Sequence, residues 1–258
     1  MSTERNVVVH YHLFKNAGTS VDRLLQKNFG NKWLGFDESP AGHVISADKL
    51  VEKIDDNPFV TAFSSHQIVP PIPEINGRIF PIVFLRDPVD RIKSAYLFEW
   101  QKQLGLDTPK GSFKEYVSLQ FKRKRSSAVE DFQTLRLSNV NVERFSKGTD
   151  DEKIVEQAFE FIDSLSFIGI VDQFDASAEL LQSYLQPVFE DFKVSNVKAN
   201  NLQDTTQSID EKRAAIKDEL GDEYFEMIVD RNMMDQKLYQ YGLSHFESLR
   251  SDLMVSNG

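Results

Sequence analysis

A chain of 258 residues, 40 % apolar and 27 % charged, can bury a sizeable core and fits one domain spanning 1–258. It contains no cysteine, which excludes a disulfide framework and thiolate metal ligation, and its formal net charge of −10 argues against sequence-independent nucleic-acid binding. The apolar run in MSTERNVVVHYH is too short for a signal peptide and no stretch approaches the roughly 18 residues of a membrane span, so a cytoplasmic protein without an integral membrane segment is expected.

Val7-Val8-Val9 reads as a strand, and HYHLFKNAGTSVDRLL (10–25) follows it. That segment is a tight turn holding Lys15, Asn16 and Gly18, after which Thr19 and Ser20 open an amphipathic helix. Strand, phosphate-cradling loop, helix is the functional reading. Gly18 lets the backbone approach a ligand, the first helical amides are unpaired donors, and the positive end of the helix dipole favours an anion. Lys15 adds a mobile charge, and Thr19 and Ser20 add hydroxyls. An ordinary capped helix behind a buried strand would look the same. A Walker A loop needs GxxxxGK[ST]; here the lysine precedes the glycine in a shorter loop, which disfavours an ordinary ATPase or GTPase.

Residues 31–65 are mixed, with Gly35, Pro40 and Gly42 marking a loop, a short helix predicted over 47–54, and PFVTAFSS (58–65) as a second strand ending at His66. The prolines of VPPIP (69–73) remove donors and fix φ, so this is a rigid loop. RIFPIVFL (78–85) is almost continuously apolar, as in a strand buried on both faces of a parallel sheet, and Pro81 suits its start or an edge. Asp87 is a good N-cap and Pro88 fits the first turn of the next helix, whose apolar stripe is Val89, Ile92, Tyr96 and Trp100. Ser94 lies on it, eight residues after Arg86.

Past a break at 105–111, helices are predicted over 113–121 and 127–137, flanking the basic run 122–125, which is a solvated turn or a contact for an anionic acceptor. A helix over 151–165, a short fourth strand over 167–171 and a helix over 172–185 come next, then a polar loop, 191–206. Helices over 209–219 and 222–241 precede a short frayed one at 244–258. The order predicts an α/β fold with a mostly parallel sheet, flanking helices and a helical C-terminal half.

Ligands of open parallel sheets bind outside the carboxyl ends of the strands. Those ends here carry the loop from Lys15 to Ser20, His66, and Arg86 with Ser94. HLFKNAGTSV, followed some seventy residues later by FLRDPVDRIKSAYLF, resembles the PAPS-dependent sulfotransferases, PAPS being 3′-phosphoadenosine 5′-phosphosulfate. The likeness is closest to the carbohydrate branch that includes heparan sulfate 2-O-sulfotransferase. FIGIVDQF (167–174) is similar to that family's late strand and turn, and DFQTLRLS (131–138) more loosely so.

The resemblance implies a P-loop-like phosphosulfate loop in which Lys15 binds the sulfonate and steadies charge on the leaving phosphate. The amides of Ala17, Gly18 and Thr19, with the Thr19 and Ser20 hydroxyls, would hold the 5′-phosphate in the loop that Asn16 completes. Arg86 and Ser94 match the 3′-phosphate motif, where a guanidinium can bind through paired hydrogen bonds. Lys198, with Asn200, falls where the family folds a late loop over the nucleotide. His66 stands where this branch has its general base. The chain departs from the family at Phe14, often proline, and at Asn16, often Thr or Ser, without losing a charge.

The implied reaction is in-line sulfuryl transfer from PAPS to a hydroxyl-bearing acceptor, expected to be a carbohydrate, with no metal. The plainer readings are a structural His66, and His10 and His12 as sheet residues lining the site, with either of the two as a lesser candidate for the base. The acidic balance fits a long polyanionic glycan poorly, which leaves a neutral sugar, a glycolipid or a small alcohol open. Two other functions also stay open: a nucleotide-dependent kinase with an atypical phosphate loop and Asp87 as magnesium ligand, and a non-catalytic nucleotide-binding protein on the same fold.

Overall fold

The computed structural model describes residues 4–40, 42–123, 129–139, 151–194 and 207–256. Strand β1 (Arg5–Tyr11) is interior to a four-stranded sheet of order β2-β3-β1-β4. Its neighbours are β3 (Ala62–Ser65) and β4 (Gly77–Ile82), both parallel to it, with Val8 opposite Ala62 on one side and Phe80 on the other. The short β2 (Trp33–Gly35) pairs in parallel with β3 at the outer edge. Val7, Val8 and Val9 have no exposed surface; since successive strand residues point to opposite faces, both faces of β1 are covered.

The helix α1 (Gly18–Phe29) follows β1 and buries Val21, Leu24 and Leu25. Next, α2 (Ala47–Asp56) is capped by the Ser46 side chain and buries Leu50 and Ile54. The predicted strand 78–85 divides at Val83. Its first part is β4; its second, β5 (Phe84–Leu85), pairs in parallel with β6 (Gly169–Ile170). The Val83 carbonyl accepts from Gly169 N–H at 2.9 Å, so the run changes partner there. Pro81 lies opposite Val9 on the edge strand of its sheet, where a missing N–H is tolerated.

Asp87 caps α3 (Pro88–Leu97) as expected, accepting from the Val89 and Asp90 amides, and a π-helical turn, Phe98–Lys102, extends it. The remaining helices are α4 (Phe113–Lys122), α5 (Phe132–Leu137), α6 (Asp151–Asp163), α7 (Phe174–Leu185), α8 (Ile209–Leu220), α9 (Asp222–Asp230) and α10 (Met233–Ser256). The helix predicted over 222–241 breaks before Met233, and α10 absorbs the separate terminal helix expected at 244–258. Asn232 explains the break: its buried amide donates to the Ile228 and Val129 carbonyls and accepts from Asp131 N–H, joining the turn to the start of α5. Among the described residues no helix is long and apolar enough to cross a membrane.

The main core lies around the sheet, with Phe63, Phe80, Ile82 and Phe84 packed among Leu24, Phe161 and Phe246. A second core joins α3, α4, α8 and α9 through Val89, Ile92, Tyr96, Phe113, Tyr116, Ile216 and Ile228. Val89, Ile92 and Tyr96 of α3 are taken up by this core, while Asp90 of the same helix is bonded to Arg86.

Where β4 begins, Gly77 has φ of 135° and a Cβ there would lie 1.9 Å from the Arg5 carbonyl oxygen. Backbone cannot yield as a side chain can. Gly77→Ala should therefore destabilise the protein by more than ~1 kcal/mol, measured as a lower urea midpoint at unchanged slope.

Candidate active site

The loop between β1 and α1 is built from two left-handed residues that are not glycine, Lys15 at φ 66° and Ala17 at φ 60°. Such conformations cost about 1–2 kcal/mol each and must be held by their surroundings. Asn16, between them, is 1 % exposed and donates through Nδ2 to the Phe84 carbonyl at 2.7 Å and to Gln133 Oε1 at 2.6 Å. Arg86 Nη1 donates to the Lys15 carbonyl at 3.0 Å. Pinned at both residues, the loop turns its amides outward. The Ser20 and Val21 N–H groups fold back onto the Ala17 carbonyl, at 2.8 and 3.2 Å. Those of Ala17, Gly18 and Thr19 have no hydrogen-bond partner among the described residues, and no side chain caps α1. A cradle of unsatisfied donors at a helix N-terminus is an anion site.

The expected loop residues therefore do different things. Ala17, Gly18 and Thr19 present amides, Thr19 is exposed and Ser20 is buried. The Asn16 side chain faces inward and holds the loop in place.

Lys15 is half-buried, with Nζ 4.5 Å from the centre of the Phe98 ring and 5.9 Å from that of Phe14. Burial, with the nearby charges of Arg86 and Lys102, pulls its pKa down to about 8. Arg86 is 6 % exposed, and its Nε donates to Asp90 Oδ2 at 2.6 Å. Asp90 and Ser94, four apart, share a face of α3, and Arg86, which precedes the cap, reaches that face through its bond to Asp90. Arg86 meets the Lys15 carbonyl and Phe98 meets the Lys15 ammonium. Ser94, half-buried, lies one turn beyond Asp90 on α3.

Asp87 is occupied. One oxygen caps α3, the other accepts from Arg213 Nη1 at 2.6 Å, and burial raises its pKa. This leaves it poorly suited to the magnesium role that a kinase would need.

His66 directly follows β3, and its side chain is 43 % exposed. Asp37, on the loop after β2, receives the His66 N–H and the Ser65 hydroxyl on Oδ1, at 2.9 and 2.7 Å. Its Oδ2 lies 2.9 Å from His66 Nδ1. Burial works against the Asp37 charge, but the hydrogen bonds from Ser65 and His66 together outweigh it and hold the carboxyl below its usual pKa. The contact to a carboxylate places a proton on Nδ1 and leaves Nε2 as the acceptor in the neutral ring. Crowding by protein, then the neighbouring His12, lowers the His66 pKa despite Asp37.

The His12 ring stacks on His66, with centroids 3.8 Å apart and planes inclined by 30°. On its other side His10 stacks at 5.0 Å. Asp22, from α1, faces His10 Nδ1 at 2.8 Å and His12 Nδ1 at 3.0 Å, one carboxylate oxygen to each. Burial opposes the Asp22 charge too, and these two hydrogen bonds reverse it, so its pKa falls. Each Nδ1 thus has its own acceptor, and hydrogen bonding accounts for the arrangement. Gly18 is required beside it: a Cβ there would lie 2.0 Å from His12 Nε2.

The predicted helix over 127–137 contains α5 (Phe132–Leu137), but the sequence reading gave no role to the residue on it that joins these parts. Gln133, on α5, is fully buried; its Oε1 accepts from Arg86 N–H at 3.0 Å while its Nε2 donates to the Arg86 carbonyl at 2.9 Å. One side-chain amide thus mimics a strand partner for Arg86 while holding Asn16. Arg136 Nη2, one turn further along α5, donates to the His66 carbonyl. Asp235 of α10 fixes α5 by accepting from the Gln133 and Thr134 amides and the Thr134 hydroxyl. The looser family likeness of DFQTLRLS was the only sequence signal that this helix belongs to the site. Asp37 carried none, since an acid in a loop has no spacing to betray it. Lys198 and Asn200 lie outside the described residues, as do the last two residues of the 122–125 run; Lys122 and Arg123 are exposed.

The family model described as the sulfotransferase family matches residues 1–242, and the chain belongs to that family, whose common chemistry is sulfuryl transfer. An uncharacterized protein of Archaeoglobus fulgidus is similar to it, 29 % identical over 247 residues that cover 92 % of this chain and 95 % of its own length.

Gln133→Ala would leave the buried Arg86 N–H and carbonyl without partners and release Asn16. It should cost roughly 2–4 kcal/mol in urea unfolding and weaken anion binding at the loop by a similar measure in titration calorimetry.

Proposed function

We propose that the protein transfers the sulfuryl group of PAPS to a hydroxyl acceptor, with His66 as general base and Lys15 as the group that neutralises charge on the leaving phosphate. The observation that carries this reading is the closeness of an anion cradle to an oriented base. His12 touches Gly18 of the cradle and stacks on His66, so a single imidazole ring spans the gap between them.

The residues fit an anionic donor. The amides of Ala17, Gly18 and Thr19 supply unpaired donors, and Lys15 and Arg86 supply the only positive charges that the loop itself touches among the described contacts. PAPS, when bound, supplies the sulfuryl group and a phosphate leaving group. The amides and the Thr19 hydroxyl hold the 5′-phosphate end; Arg86, ahead of α3 and bonded to the Lys15 carbonyl, and Ser94 of α3 take the 3′-phosphate. His66 Nε2 removes the acceptor proton as the acceptor oxygen bonds to sulfur and the bond from sulfur to the bridging oxygen breaks. Asp37 then faces the imidazolium at Nδ1 and steadies it, while the Lys15 ammonium faces the freed phosphate oxygen. We assign the acceptor to the carbohydrates on the likeness of HLFKNAGTSV and FLRDPVDRIKSAYLF to that branch of the family.

Thermal-shift titration tests the donor site. The desulfated product, 3′-phosphoadenosine 5′-phosphate, should stabilise the protein by about 2.7 kcal/mol at a hundredfold excess over Kd, with little effect from AMP. A shift with ATP and magnesium alone would favour the kinase reading instead. His66→Ala should keep this binding and lose about a hundredfold or more in turnover with PAPS.

The rate should also be bell-shaped in pH. His66 must be neutral to accept a proton and its pKa is lowered, so the acid limb of kcat/KM falls below 6.5. Lys15 must be charged and is pulled down to about 8, so activity declines above that pH. Lys15→Met should abolish the alkaline limb along with most of the rate.

A further inference from the structure

We propose that His12 is the positioning residue of the base: its ring sets the distance between His66 and the anion cradle, and stops the stacked pair from taking up two protons. This rests on the function proposed above, and goes beyond it in assigning a role to the residue that follows β1.

Three contacts fix His12. Its face lies on His66 at 3.8 Å between centroids. Its Nδ1 is held 3.0 Å from Asp22 Oδ2, while the other Asp22 oxygen holds His10, so the ring cannot rotate without breaking a buried contact. Its Cδ2 and Nε2 fill the space that a side chain on Gly18 would need. His12 is 8 % exposed and His10 only 1 %. The base is therefore seated against a rigid wall whose far edge is the first residue of α1.

The wall has an electrostatic effect as well. The groups facing His66 are Asp37 from the loop after β2, His12 from the end of β1, Asp22 of α1 behind His12, and Arg136 of α5, which is bonded to the His66 carbonyl. Two imidazolium rings stacked face to face would repel, so a proton on either ring disfavours one on the other. Burial lowers the His12 pKa, its largest cause, and Asp22 only partly offsets this. Burial of His66 against this wall, the largest cause, and then the charge that His12 can carry lower the His66 pKa, so His66 stays unprotonated at pH values where an ordinary histidine would begin to charge.

The test uses the full chain with His12→Ala, which removes the wall, and His12→Phe, which keeps a ring against His66 and Gly18 but cannot be charged or held by Asp22. Binding of 3′-phosphoadenosine 5′-phosphate is followed by thermal shift, the titration of His66 by carbon-13 NMR of its Cε1, and turnover by kcat/KM against pH. Both variants should bind the bisphosphate within about threefold of the parent, and in both the His66 midpoint and the acid limb should rise together by about half a pH unit or more. In His12→Ala, kcat should also fall by about tenfold.

An unmoved His66 midpoint in a folded variant, or turnover within about twofold of the parent in His12→Ala, would overturn the proposal. So would a loss of turnover matched by an equal loss of bisphosphate affinity, which is the mark of a purely structural residue. If His12→Ala does not fold, the midpoint in His12→Phe decides. Absence of PAPS-dependent turnover in the parent would instead sink the proposed function, while the NMR midpoints would still report whether His12 controls the protonation of His66.

Discussion

The strand-end geometry depends on one buried amide. Gln133 gives Arg86 the donor and acceptor that a neighbouring strand would otherwise provide, and accepts from Asn16 at the same oxygen. Two residues separated from it by 117 and 47 positions are thereby placed within one side chain's reach. Without such a tie, Lys15 and Ala17 would relax out of their left-handed conformations and the loop amides would turn back into the helix. The site is thus an arrangement of strained backbone, kept by hydrogen bonds that have no access to water to replace them.

An acidic protein can still build an anion site because the relevant fields are short-ranged. The net charge of −10 is spread over the surface, whereas Lys15 and Arg86 sit in half-buried to buried positions at the end of a helix dipole. Their mutual repulsion is partly relieved by Asp90 against Arg86 and by the Phe98 ring beneath the ammonium. On the other flank the carboxylates Asp22 and Asp37 are both committed to histidines, so neither is aimed at an incoming anion.

The parts of this structure governed by local chemistry were legible in the sequence. The triple-valine strand, the loop beginning at Lys15, the Asp87 cap and the apolar stripe of α3 all stand where periodicity and capping rules put them. His66 and Arg86 could be placed at strand ends for the same reason. What was hidden depends on contacts distant in sequence. Val83 divides an apparently continuous strand because Gly169 takes over its carbonyl, and Asn232 divides a continuous helical pattern because Val129 and Asp131 lie against it. Asp37 and Gln133 are ordinary polar residues by every local criterion. Phe14 is a departure from the family's frequent proline, and the structure shows rigidity supplied from elsewhere: Asn16 and Arg86 secure the turn that a proline ring would have stiffened.

The attachment of α5 to α10 has a consequence for the order in which the chain matures. Asp235 holds the first turn of α5 from 102 residues away, through the Gln133 amide and the Thr134 amide and hydroxyl. The loop at Lys15 is synthesised well before α10, yet its fixing partner Gln133 is itself fixed by that helix. A nascent chain can form β1, α1 and much of the sheet while the arrangement at the strand ends is still unassembled. The held loop conformation thus marks completion of the fold, and a chain truncated ahead of α10 would retain both recognisable motifs without the hydrogen bonds that arrange them.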